Sequence, residues 1–251
     1  DTSNVTNMSG MFYNSIATTI TGLDKFNTSK VANMTSMFAS TKVTTLDLSN
    51  FDTSNVTSMS GMFNGSALTT AIGLDKFNTS KVTTMKEMFK GVKMTSLDLS
   101  NFDTSNVTNM LGMFNGSALT TVTGLNKFNT SKVTTMKEMF KETKITNLDL
   151  SSFDTSNVTD MYYMFANSQA TSFNVSSFNT SKVTDMRSMF YYTKATTLDL
   201  SSFDTSKVTS MNSMFSGSKA TTGYAKTETD ADKFNSSSGK PSTLKFVVKG
   251  S

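Results

Sequence analysis

Apolar residues recur along this chain in a fixed phrase. In FDTSNVTSMSGMF, Phe51 to Phe63, a Val is followed three residues later by Met and three residues later again by Met-Phe, with Thr-Ser-Asn ahead of the Val. The Met-Phe pair marks the register at Phe12, Phe38, Phe63, Phe89, Phe114, Phe140, Phe165, Phe190 and Phe215, so copies follow at intervals of 25 or 26 residues. Residues 62–112 and 113–163 are near copies, which lays a second period of about 51 residues over the first.

Each unit has two parts. The first reads TTLDLSNF, in which Leu46 and Leu48 alternate with Thr45, Asp47 and Ser49. Period-two alternation puts both leucines on one face of a short strand, with Phe51 as a further inward anchor. In alternate units Gly22, Gly73 or Gly124 stands where the others carry Asp, and the extra residue there predicts a bulge or a wider turn. In the second part Val56, Met59, Met62 and Phe63 stand at i, i+3, i+6 and i+7. That spacing aligns them on one stripe of a short helix, and its first three members suit a 3₁₀ turn equally. The preceding Asp52-Thr53-Ser54-Asn55 reads as helix-start chemistry, with Thr53 or Ser54 accepting from first-turn amides and Asp52 favouring the positive end.

One such unit cannot cover its own apolar face, but stacked copies can, because each strand pairs with the next at about 4.8 Å. The expected fold is therefore a right-handed α/β repeat solenoid. A parallel β-sheet forms one side and short helices or turns the other, with nine rungs over residues 1–222 making a rod about 40 Å long. From Gly223 the period breaks. Residues 223–251 predict a capping segment: a short helix ending at Phe234, a turn at Gly239–Pro241 and a strand from Thr243 to Lys249, which would shield the last rung's core and strand edge.

Composition narrows the chemistry. The 19 Met and 20 Phe supply much of the buried bulk, and Met suits imperfect gaps between rungs. Cys and His are both absent, which removes disulfides, thiolate nucleophiles, His-based triads and zinc sites. The net charge of +4 comes from 23 basic and 19 acidic residues that are well mixed, short of the clustered basic face that nucleic acid requires. No run of 18 apolar residues occurs, so no membrane insertion is expected. The chain opens mid-repeat at Asp1 without a signal peptide or wall-sorting motif and reads as a fragment of something longer.

The phrases LDLSNFDTSNVTSMSGMF and LDLSSFDTSNVTDMYYMF resemble the BspA-like leucine-rich-repeat surface proteins of bacteria, and the GKPSTLKFVVK ending is similar to that family's finish. The resemblance covers nearly the whole chain. It implies a leucine-rich-repeat-like solenoid, extracellular on a bacterial cell surface, with a role in adhesion to host mucin, another glycoprotein or a matrix protein. A monomer is expected, and no enzyme activity and no cofactor. One departure stands out: the buried Asn usual after the strand is replaced by Phe51, Phe77 and Phe102. A spacer that projects another domain from the cell wall is the competing expectation, and the near-identical middle repeats favour it.

Candidate binding residues are those at which one copy departs from the others. Tyr162 and Tyr163 occupy slots that hold Ser-Gly, Lys-Glu or Leu-Gly elsewhere, and Tyr191 and Tyr192 follow the eighth Met-Phe pair one rung away. Arg187, the single arginine, lies between them in sequence. Together they predict a surface aromatic patch suited to sugars or protein partners; the competing account has the rings shielding the Met core. Secondary candidates are the outward strand aspartates Asp47, Asp98, Asp149 and Asp199, with Asp24 and Asp75 in the alternate units. A calcium-binding stripe competes with a plain solvated face, and Asp47 with Asp75 is the pair expected to approach diagonally. Lysine columns (Lys30, Lys81, Lys132, Lys182 and Lys207 before the helical Val, Lys86, Lys90, Lys137 and Lys141 around it) read first as solubilising, with a basic edge attracting sialylated or sulfated glycans as the functional alternative. A threonine column (Thr18 through Thr221) reads first as strand-forming.

Overall fold

The computed structural model describes residues 1–250. The chain coils into a parallel β-solenoid with little helix, as a right-handed repeat coil requires. On one side short strands pair in parallel and in register: β1 (Thr45–Asp47) with β2 (Thr70–Ile72), β3 (Ser96–Asp98) with β4 (Thr121–Thr123), and β5 (Asn147–Asp149) with β6 (Ser172–Asn174). The last sheet has three strands, β7 (Thr197–Leu200), β8 (Thr222–Ala225) and β9 (Lys245–Val248). On the other side single parallel bridges run unbroken from Asn7 through Asn33, Ser58, Thr84, Asn109, Thr135, Asp160 and Asp185 to Ser210, joining nine rungs.

The predicted bulge in alternate units is a glycine turn. Gly22, Gly73 and Gly124 adopt left-handed φ of 80°, 87° and 92° and lead into 3₁₀ turns at Leu23–Lys25, Leu74–Lys76 and Leu125–Lys127. At Gly73 a side chain is impossible on two grounds. The φ excludes it, and a Cβ would stand 2.5 Å from the backbone nitrogen of Ser49 on the rung before.

Of the helix and the turns that the Val-Met-Met-Phe spacing allows, the turns form. The stretch is a chain of turns in which amides alternate between two partners. Met62 N donates to Met59 O and Asn64 N to Gly61 O within the rung, at 3.2 and 2.9 Å. Gly61 N donates to Lys86 O, Phe63 N to Met88 O and Gly65 N to Lys90 O of the next rung, at 2.7 to 3.0 Å. An α-helix would consume these amides internally and leave nothing to bond the next coil. Left-handed residues at Gly61 and Gly65, and at the equivalent sites of every rung, break the helical path and turn alternate amides along the rod. The apolar spacing near three is thus a turn period, and Val56, Met59, Met62 and Phe63 still all point inward, fully buried.

Two phenylalanine columns fill the interior. The Met-Phe phenylalanines from Phe12 to Phe215 stack continuously, with ring centroids 5.3 to 6.1 Å apart and planes within 25°. Offset stacks at such separations contribute about 0.5–1.5 kcal/mol each beyond the area they bury. The phenylalanines that replace the usual asparagine form a second buried file, as in Phe128 on Phe153 at 6.3 Å and Phe178 on Phe203 at 6.1 Å.

Thr53 and Ser54 cap no helix. Thr53 is buried, and its Oγ1 donates to the carbonyl of Asn78 on the next rung at 3.0 Å. Thr28, Thr79, Thr104, Thr130, Thr155 and Thr180 repeat the contact at 2.8 to 2.9 Å. Asp52 turns its own chain instead, accepting from Ser54 N at 2.9 Å.

At the end of the rod the threonine file meets the cap. The helix α1 (Glu228–Asn235), started by Thr227, carries Asp230 beneath the last rung. Its Oδ1 accepts from Thr205 Oγ1 at 2.6 Å and Thr205 N at 3.0 Å, while Oδ2 accepts from Thr227 Oγ1 at 2.6 Å. A carboxylate thus stands where the carbonyl of a further rung would be. Phe234 and Phe246 close the core against Phe215, with centroids 5.8 and 4.8 Å from it. Burial raises the Asp230 pKa, but the hydrogen bonds from Thr205 and Thr227 outweigh it and hold the group below its ordinary 3.8. A depressed carboxylate contributes stability above its unfolded pKa and loses it as pH falls through the folded value. Asp230→Ala, which strands two buried donors, is expected to cost about 2–3 kcal/mol in urea unfolding at neutral pH. The gap between variant and parent should shrink as pH drops below about 3.8.

Candidate functional site

The four tyrosines and Arg187 come together on the turn side of rungs seven and eight. Tyr162 and Tyr163 meet edge to face at 4.2 Å, Tyr163 and Tyr191 at 6.2 Å, and Tyr191 and Tyr192 at 4.5 Å. Rung-to-rung bonds fix the arrangement: Tyr163 N donates to Arg187 O at 3.1 Å and Asn167 N to Tyr191 O at 2.7 Å. Arg187 is held by its neighbour, Nε donating to Asp185 Oδ1 at 3.0 Å and Nη2 to Oδ2 at 2.5 Å. So anchored, its guanidinium lies 4.7 Å from the Tyr162 ring centre.

Two lysines of the column around the repeat's Val join the cluster. Lys137, in the same column one rung earlier, places Nζ 4.9 Å from the Tyr162 ring centre, and Lys141 places its own 5.4 Å from that of Tyr163. Reading down columns instead of along repeats exposes them, since Lys137, Tyr162 and Arg187 are equivalent positions on successive rungs. One residue that the sequence did not single out is Gly217. A Cβ there would fall 2.5 Å from the Tyr192 ring, so the absent side chain is what lets that ring lie flat on the next rung.

Tyr163 and Tyr192 both hold left-handed backbone, at φ 56° and 51°. Equivalent positions on other rungs carry Gly, Ser, Asn or Glu, such as Gly61, Ser188, Asn167 and Gly217. A bulky residue there costs about 1 kcal/mol or more relative to glycine. Core burial does not require the rings: Met62 is 0% exposed on a rung that carries Ser60 and Gly61 in place of Tyr162 and Tyr163. Tyr162, Tyr163 and Tyr191 are half-buried among one another, and Tyr192 is 52% exposed.

The strand-face aspartates form no continuous stripe. In the ladders Asp47 faces Ile72, Asp98 faces Thr123 and Asp149 faces Asn174. The ladder is interrupted before β1 and between β2 and β3, and the aspartates group across those interruptions rather than as Asp47 with Asp75. At those breaks lie shallow recesses of about 230 and 280 Å³, one lined by Asp24 and Asp47, the other by Asp75 and Asp98. Side-chain and then backbone hydrogen bonds from Ser49, Ser100 and Ser151 hold Asp47, Asp98 and Asp149 below the usual carboxylate range. Asp199 is engaged at 2.6 Å by Lys249, which directly follows β9. Among the described residues no three carboxylates gather as a cation would need.

Lysines of the regular column bond to asparagine rather than to acidic residues, as Lys81 does to Asn55 Oδ1 at 2.7 Å. Threonines of the strand column reach back one rung, as Thr69 Oγ1 does to Thr44 O at 3.0 Å. Both are ties between coils. Among the described residues no helix is long and apolar enough to cross a membrane.

Fold and surface define a solenoid repeat protein with one divergent aromatic face. The family described as Mycoplasma protein of unknown function, DUF285, matches residues 1–69, 67–120 and 117–228, and the chain belongs to that family. It matches no curated protein and no solved structure.

The geometry sets a spectroscopic expectation. Burial, followed by the hydrogen bond with Tyr163, raises the Tyr162 pKa above 10.0. Titrating phenolate absorbance should show a late-ionising tyrosine that disappears in Tyr162→Phe. A titration curve unaltered by that substitution contradicts the packing described.

Proposed function

We propose that this chain is a non-enzymatic module of a bacterial cell-surface adhesin, extracellular and of the BspA-like leucine-rich-repeat type, that holds a host glycoprotein such as mucin. The observation that carries it is the tyrosine–arginine cluster on rungs seven and eight. Two of its four tyrosines occupy left-handed positions that the fold fills more easily with glycine, and Met62 is as fully buried on a rung that lacks them. Strain held only against contacts within the cluster itself is in keeping with a recognition surface. Rigid aromatic faces beside fixed cations suit sugars and glycosylated partners. An array of rungs adds avidity where several weak sites act together.

The competing reading is a spacer, favoured by the near identity of residues 62–112 and 113–163. A spacer needs only a rigid rod.

The two separate on immobilised mucin. The chain should be retained at low salt, and Tyr163→Gly with Tyr192→Gly should abolish retention. Relief of about 1 kcal/mol of backbone strain at each site offsets a similar loss of ring contacts, so the double variant should melt within a few degrees of the parent. No retention of the parent chain leaves the spacer as the better account.

A further inference from the structure

The tyrosines are not equivalent, and their differences divide the cluster into a support and a platform. Tyr162 has Lys137 and Arg187 over its ring and Tyr163 against its edge, so its aromatic surface is already engaged. Tyr192 is the opposite case. One side of its ring rests on Gly217, Tyr191 meets it edge to face, and it remains 52% exposed.

Two cationic residues stand close to Tyr192 along the backbone. Lys194 is two residues further along the same rung, and Lys219 is brought alongside by its amide, which donates to Thr193 O at 3.0 Å. Both lysines are exposed, and neither has an ion-pair partner among the described residues. The nearby acid Asp185 is already committed to Arg187.

We propose that Tyr192 is the stacking platform of a subsite for an acidic sugar, whose carboxylate or sulfate is received by Lys194 and Lys219. The ring supplies a flat apolar face for the C–H side of a pyranose. Two unpaired ammonium groups at its margin select an anionic substituent, and charge complementarity at an exposed rim acts through a screened field. This rests on the adhesin reading above and narrows its ligand from a glycoprotein to the acidic glycans that one displays.

The chain has no Trp and six Tyr, so intrinsic tyrosine emission reports on the cluster directly. Titrating the 251-residue chain with sialyllactose, sulfolactose and lactose at low salt should favour an acidic sugar over lactose by about tenfold. That preference should fade as ionic strength rises from about 0.02 M to about 0.5 M. Tyr192→Phe should keep binding, Tyr192→Gly should remove it, and Lys194→Ala with Lys219→Ala should leave all three sugars binding alike. Tyr13→Ser, on the first rung, should change nothing. Equal binding of the three sugars by the parent chain, or an acidic preference that survives Tyr192→Gly, overturns the subsite. A parallel arm uses mucin before and after sialidase and desulfation. Retention that ignores both treatments overturns the acidic-sugar subsite while the adhesin reading stands. No retention on any mucin removes both.

Discussion

Everything in this molecule depends on alternate amides of each coil bonding forward to the next. Gly61, Phe63 and Gly65 donate to Lys86, Met88 and Lys90 because left-handed residues interrupt what would otherwise become a helix. That constraint brings equivalent side chains into register along the rod. From it follow the phenylalanine stack, the threonine file and the aligned bridges from Asn7 to Ser210. A repeat of fixed length is the condition for all of them, and the one extra residue of alternate units is absorbed in a local glycine turn.

The same constraint explains how the rod ends. A coil without a successor leaves its threonine hydroxyl and amide without a carbonyl to receive them. Asp230 supplies a carboxylate in that place, and Phe234 and Phe246 supply the apolar cover that another Met-Phe pair would have given. The cap is thus built from side chains that imitate the main chain of an absent rung.

Much of this was legible in the residues. Val56, Met59, Met62 and Phe63 were read as inward-facing and are fully buried, and the strands fall on the Leu46 and Leu97 phrases. Their backbone stayed open between helix and turns because a period near three belongs equally to both. The glycines and asparagines that decide between them were visible as columns: Gly61, Gly112, Gly65 and Asn167 all stand at left-handed positions. Thr53 was assigned to local capping, whereas its partner lies 25 residues away, a contact that only the stacked geometry creates. At the candidate site, the departure of Tyr162, Tyr163, Tyr191 and Tyr192 from the repeat was plain. That Lys137 and Lys141 cover two of the rings, and that Gly217 lies beneath a third, became evident only once equivalent positions were placed one above another.

The central claim is that each coil depends on its neighbours and on little else, so whole coils are interchangeable. Deleting residues 62–112 tests it most directly, because Gly61 then joins Met113 and the Gly-Met-Phe register is kept. The account predicts a folded protein with a single cooperative unfolding transition and a rod shorter by two strand spacings, about 10 Å, in solution scattering. An unfolded or aggregated product, or a folded one of undiminished length, would contradict it.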